Sequence, residues 1–192
     1  RLRENAHVVH SMDRLARNTL DLLQLVRDLN LFITKVGEAD LLEEEKAEFA
    51  AEARFLRAYV YLEMVKRMGG VPLITETYEY DFTGDPSYLQ FPRATEAEVY
   101  DFIAAELDAV KEQLPEEPSY SRATRSTALA LKSRAMLYAE SLARYNSSMA
   151  QPIATSGNEV GIPAERADGY YQAALAAAEE VVSSGRYSLY RN

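Results

Sequence analysis

From Leu15 to Val36, apolar residues recur at three- and four-residue steps: Leu15, Leu22, Leu25, Val26, Leu29, Phe32, Ile33 and Val36. That spacing draws one face of a helix. Gly37 is expected to end it, because glycine adopts the left-handed turn that follows many helices. A second helix is expected from about Asp40 to Met68, opening with Asp40, Glu43, Glu44 and Glu45 at the positive end of the helix dipole. Its later part is apolar on two sides, with Phe49, Ala53, Leu56 and Val60 on one and Phe55, Tyr59, Leu62 and Val65 on the other. Such a helix must be covered by neighbours on both sides. Gly69-Gly70 stops it, and Pro72 keeps it stopped.

Thr95 and Glu98 form a capping box that opens a third helix, whose stripe is Val99, Phe102, Ile103, Leu107, Val110 and Leu114; Pro115 and Pro118 close it. A fourth helix is expected from about Arg125 to Arg144. A fifth, rich in alanine, is expected from about Glu165 to Ser184 and capped by Gly185. Small residues on this last helix let a neighbour approach closely. The stretch 146–163 is polar and reads as a surface insertion. The stretch 71–93 is a long connection that carries Tyr78, Tyr80, Phe82, Tyr88 and Phe91, and long loops in compact domains are often functional. The expected fold class is therefore all-α: stacked antiparallel helix pairs in a tetratricopeptide-like superhelix with long connecting loops, forming a single helical domain over residues 1–192. The strict tetratricopeptide signature, with its Trp and Gly positions, is absent, so that likeness is one of architecture.

Composition narrows the function classes. A formal net charge of −9 disfavours a nucleic-acid partner, whose phosphates are met by Lys and Arg, and also disfavours docking on anionic lipid. The absence of cysteine excludes disulfides, thiolate metal sites and a cysteine nucleophile. No apolar run reaches the length of a membrane-spanning helix. The opening Arg1-Leu2-Arg3-Glu4-Asn5 lacks the apolar stretch of a signal peptide and an initiating Met. It reads as an internal start, so the chain is expected to be a segment of a longer protein.

Catalytic material is thin. His7 and His10, with Asp13 a turn further on, are too few ligands for a good metal site and read as a solvated helix start. The acidic run Glu43-Glu44-Glu45, with Glu48 and Glu52, reads as a solvated face; paired catalytic carboxylates need distinct environments. No phosphate-cradling glycine loop exists, and Asp81 to Asp85 is too short for an EF-type calcium loop. No cofactor, no metal and no enzymatic activity are expected. The aromatic loop is the better candidate for binding. Tyr78, Tyr80, Tyr88 and Phe91 can stack on sugar rings while the tyrosine hydroxyls meet sugar hydroxyls, can instead pin the loop onto the helices, or can contact a partner protein.

The most specific motif is Glu52-Ala53-Arg54-Phe55-Leu56-Arg57-Ala58-Tyr59-Val60-Tyr61-Leu62, followed by Gly69-Gly70-Val71-Pro72-Leu73-Ile74. It resembles the signature of the SusD-like (RagB/SusD) family, an E-A-R-F-L-R-A helix followed by a G-G-V-P-L turn. Three further stretches are similar to that family's pattern in the right order: Val26 to Ile33, containing Arg27, Asn30 and Phe32; Arg122-Ala123-Thr124 with Ala128 to Tyr138; and Val181 to Tyr190. The resemblance covers roughly residues 22–190, departing at Thr19 and Leu23, where the family often has aromatics.

Within the signature, Glu52, Arg54, Phe55, Leu56, Arg57, Gly69, Gly70 and Pro72 are expected to be structural. Guanidinium groups held between helices need carboxylate or carbonyl partners, and the glycines supply backbone freedom. The resemblance implies a non-catalytic cell-surface lipoprotein of the outer membrane. It implies binding of an oligosaccharide or another nutrient together with a TonB-dependent (SusC-like) transporter, and membrane attachment only through a lipid anchor absent from this chain. The rival expectation is a tetratricopeptide-like protein–protein interaction scaffold. The G-G-V-P-L turn and the long aromatic loop argue against it.

Overall fold

The structure, a computed structural model, describes residues 19–188 apart from positions 83, 118, 120 and 147. Among the described residues there are five α-helices and no strand: α1 (Thr19–Glu38), α2 (Glu43–Met68), α3 (Glu96–Val110), α4 (Arg125–Asn146) and α5 (Ala167–Ser183), with short 3-10 turns at Ser87–Leu89 and Ala164–Arg166.

Helix ends follow local chemistry. At α2, the Glu45 carboxylate accepts from the Leu42 N–H at 3.1 Å, while the Leu42 side chain has no polar atom to return the bond. At α3 the capping box is complete: Thr95 Oγ1 accepts from the Glu98 N–H at 3.2 Å, and Glu98 Oε2 accepts from the Thr95 N–H at 2.7 Å. At α4, Thr124 Oγ1 accepts from the Thr127 N–H at 3.2 Å. α2 stops at Gly69, which takes φ +70. Gly37 does not act as a cap: α1 runs through it to Glu38, and open space surrounds its Cα. Gly185, at φ +66, does turn the chain after α5.

Each helix packs on its neighbours in sequence, and the α4–α5 interface is the most extensive. Cross-helix pairs set the directions. Glu106 meets Arg54 and Arg57, while Phe102 meets Tyr61, so α2 and α3 are antiparallel. Asp108 meets Lys132 and Glu112 meets Arg125, which makes α3 and α4 antiparallel. Arg125 bonds Glu180 and Arg144 bonds Asp168, so α4 and α5 are antiparallel too. The all-α expectation of stacked antiparallel helices holds.

The two apolar sides of α2 are satisfied by α1 on one side and α3 on the other. From Arg57 to Val65, every residue except Tyr59 is buried. One hydrophobic cluster runs from Leu22 and Val26 of α1, through Val60, Leu62 and Met64, to Val99, Ile103 and Leu107 of α3 and Met136 of α4. Each such side chain contributes about 1.5–3 kcal/mol on full burial. Many buried positions of these two helices are alanines: Ala135, Ala139 and Ala143 on α4, and Ala174 and Ala177 on α5. The small side chains explain how these two helices approach along their whole length.

Candidate functional site

Arg57 is the centre of the signature helix. Its side chain is 6 % exposed. One nitrogen donates to Asn30 Oδ1 of α1 at 2.7 Å and to the Thr75 carbonyl at 3.0 Å; another donates to Glu106 Oε2 of α3 at 2.6 Å. Arg54, one turn earlier, clasps Glu106 with two nitrogens at 2.6 and 3.2 Å. Burial alone would raise the Glu106 carboxyl, but the hydrogen bonds and charges of Arg54 and Arg57 outweigh it and hold the group below its usual range. The requirement for carboxylate and carbonyl partners is thus met by three elements at once.

The same hub grips the chain that leaves the glycine turn. Asn30 donates to the carbonyls of Ile74 (3.0 Å) and Glu76 (3.2 Å). The Tyr61 hydroxyl accepts from the Ile74 N–H at 2.7 Å and donates toward the carbonyls of Ile74 and Pro72. Burial pushes the Tyr61 hydroxyl above its usual value, the backbone bond to Ile74 partly opposing it. Residues 72–76 have no sheet or helix to satisfy their backbone, so side chains of α1 and α2 do it.

The neck of the loop closes through backbone. The Ala94 N–H donates to the Val71 carbonyl at 3.2 Å, and Arg93 donates to the carbonyls of Gly70 (2.9 Å) and Met68 (2.7 Å). A Cβ on Gly70 would overlap the Ala94 carbonyl oxygen, and one on Gly69 would press on the Glu159 carbonyl. The glycines are required for close approach on two sides. The second side is the stretch 146–163. It is exposed over 148–158 and turns inward at Gly161 and Ile162. There the Glu159 carbonyl accepts from the Gly70 N–H, the Asn158 carbonyl accepts from the Glu96 N–H at 3.0 Å, and the buried Glu96 carboxylate accepts from the Gly161 N–H at 2.6 Å.

Beyond this base the loop is a chain of aromatic rings. Tyr78 packs on Phe91 with ring centres 4.7 Å apart, and Tyr80 packs on Phe82 at 5.2 Å. The Tyr88 hydroxyl donates to the Glu79 carbonyl at 2.9 Å and accepts from the Asp81 N–H at 2.6 Å; the Tyr80 hydroxyl accepts from the Gly84 N–H at 3.0 Å. So Tyr78, Tyr80, Tyr88 and Phe91 lie on one excursion, with Tyr78 paired to Phe91, Tyr80 to Phe82 and Tyr88 tied to the backbone of 79–81. Tyr78, Tyr80 and Tyr88 remain about two-fifths exposed, at 43 %, 38 % and 39 %. Phe82, at 87 %, is the most exposed large apolar side chain among the described residues and sits at φ +59, where residues other than glycine are uncommon.

Glu52 and Phe55 serve packing. Glu52 accepts two bonds of 2.6 Å from Arg122, whose guanidinium lies over the Phe49 ring. Phe55 is buried, and Leu56 is partly buried against the core. Pro72 lines an open groove of about 450 Å³ with Leu23, Met64 and Met68. Sequence reasoning did not single out Asn30, Tyr61 or Glu106 as members of one hub. Asn30 and Tyr61 stood inside recognised motifs, and Glu106 was a lone acid at the edge of an apolar stripe. His7, His10 and Asp13 lie outside the described residues. Among the described residues, no helix is long and apolar enough to cross a membrane.

Comparison with known proteins agrees with the signature. A family model described as "Starch-binding associating with outer membrane", of SusD-like type, matches residues 6–137. A SusD-like protein of Formosa agariphila is 26 % identical over 132 residues, which are 69 % of this chain and 25 % of that protein. A solved SusD-like protein from Bacteroides fragilis superposes with a TM-score of 0.65 at 31 % identity, covering 88 % of this chain and 27 % of its own. A laminarin-binding SusD-like protein does so with a TM-score of 0.58 at 28 % identity, covering 67 % and 28 %. The chain therefore spans roughly a quarter of the length of these relatives. With the family model covering residues 6–137, well over half of the chain, the chain belongs to the SusD-like family.

Proposed function

We propose that this chain is part of a non-catalytic glycan-binding protein of the outer cell surface that works with a TonB-dependent, SusC-like transporter, and that the 71–93 loop contacts the sugar. The observation that carries the reading is the set of exposed rings, Tyr78, Tyr80, Phe82 and Tyr88, on a base fixed by Arg57, Asn30 and Tyr61. Rings offer flat apolar faces to the C–H faces of sugars, and a base that is already ordered lowers the entropy lost on binding. The hydroxyls of Tyr80 and Tyr88 are engaged with backbone, which leaves their faces as the contact surface. The family match and the laminarin-binding relative support carbohydrate as the ligand class. They favour it over a peptide-binding adaptor on the same helical scaffold. In this reading the protein holds the ligand and passes it on unchanged.

Isothermal titration against a panel of neutral oligosaccharides, with Tyr78→Ala and Phe82→Ala beside the parent protein, tests the reading. Saturable binding that weakens in both variants is the expected result. Binding that both variants retain in full would remove the loop from the contact surface.

A further inference from the structure

The 71–93 loop carries four carboxylates, Glu76, Glu79, Asp81 and Asp85, against a single basic residue, Arg93. All four acids are exposed. They are interleaved with the rings: Glu79 separates Tyr78 from Tyr80, and Asp81 separates Tyr80 from Phe82. Arg93 keeps its charge but is held at the neck by the carbonyls of Gly70 and Met68, and one cation against four carboxylates leaves the loop at −3. Arg57 also meets the loop, at Thr75, but is buried and paired with Glu106; a further cation beside the loop is Lys35 of α1. It is paired with Glu38 at 2.8 Å and feels Glu79 only electrostatically. Asp85 is held below its usual range by the Ser87 backbone N–H, so it is ionised at neutral pH. The ring-bearing stretch 78–91 itself contains no Lys or Arg, where a uronate or sulfate would need one.

Resting on the proposed sugar contact at this loop, we infer that the site selects neutral oligosaccharides and rejects acidic ones, the carboxylates between the rings acting as the discriminating groups. A neutral sugar brings hydroxyl donors to acceptor-only carboxylates. A polyuronate or sulfated glycan brings like charge to the same places, and like charge discriminates without contributing attraction of its own. The repulsion acts over about 30 Å at 10 mM salt but only about 3 Å at 1 M. Rejection must therefore weaken with salt, whereas stacking of neutral rings must not.

The test is isothermal titration of the chain with neutral hexaoses (an α-1,4-glucan and a β-1,3-glucan) and with hexagalacturonate, at 10 mM and 1 M sodium chloride. It includes Phe82→Ala and the triple variant Glu76→Gln, Glu79→Gln, Asp85→Asn. At low salt the uronate is expected to bind more weakly than the better neutral hexaose by about tenfold or more, with the ratio falling toward unity at 1 M. The triple variant is expected to shrink the low-salt ratio by at least about threefold, as removal of three of the four loop carboxylates requires. Uronate binding that equals or exceeds neutral binding, and is lost in Phe82→Ala, overturns the charge inference and leaves the loop as a sugar site. Neutral binding that Phe82→Ala and Tyr78→Ala leave intact overturns the site itself.

Discussion

Replacing Glu106 by alanine removes the carboxylate that Arg54 and Arg57 share. The two arginines do not suffer equally. Arg54 has a side chain 31 % exposed and can turn toward water, so its lost pairing costs at most about 1 kcal/mol. Arg57 is 6 % exposed and keeps two neutral acceptors, Asn30 and the Thr75 carbonyl, with the Phe102 ring beside it, but no carboxylate for its buried charge. Breaking a buried pair by deleting one partner costs about 3–5 kcal/mol, and Arg57 should account for most of it. Urea unfolding followed by circular dichroism at pH 7 should show a lower midpoint with an unchanged slope.

Arg57→Met combined with Glu106→Met should recover part of the loss, because the one charge left unpaired, Arg54, can reach water. The folded carboxyl lies below its ordinary value of 4.5, so its stabilisation is present above that pH and disappears as pH falls through the folded value. The gap between parent and Glu106→Ala should accordingly narrow below pH 4.5. A loss under about 1 kcal/mol at pH 7 would show that the hub is no more than a surface pair and would refute this reasoning.

Gly70→Ala should drive a Cβ into the Ala94 carbonyl and force the loop neck apart, costing about 1–3 kcal/mol and lowering Tm by roughly 2–10 °C; an unchanged melting curve would mean that the neck yields freely. Glu96→Gln should behave in the opposite way. Burial raises the Glu96 carboxyl, the Gly161 N–H only partly opposing it, so the folded state disfavours its charge and loses stability as pH rises from 4.5 through the raised value. An amide keeps an acceptor for Gly161 without the charge. The variant should be more stable than the parent at pH 7, with the advantage fading toward pH 4.5; thermal melts across that range, showing instead a variant weaker at pH 7, would contradict it.

Much of this architecture was legible in side-chain pattern. The capping box of Thr95 and Glu98, the stop at Gly69-Gly70 and the double-sided burial of α2 all follow from residue type and spacing. What escaped was carried by backbone atoms or by single residues at a distance. The inward turn at 159–162 is held by the Glu159 and Asn158 carbonyls, and no residue type announces a carbonyl bond across a fold. Gly37 looked like a cap because glycine often is one, yet it stays helical where nothing forces a turn. Arg54 and Arg57 signalled a need for acceptors, but their partner Glu106 lies about fifty residues away, on a helix whose register only the packed structure reveals. In the loop, the aromatic row was visible in sequence, while the ring pairing and the Tyr88 bridge between Glu79 and Asp81 were not.

The most direct test of the account is hydrogen exchange, read by peptide, with and without a saturating neutral hexaose. The Ile74 amide should already be protected in the free protein, because its N–H donates to the buried Tyr61 hydroxyl. Sugar should slow exchange over 78–91 and leave α4 and α5 unchanged. Slowing confined to α4 and α5, with 78–91 exchanging as in the free protein, would place the sugar elsewhere and reduce the aromatic loop to a self-packed connection.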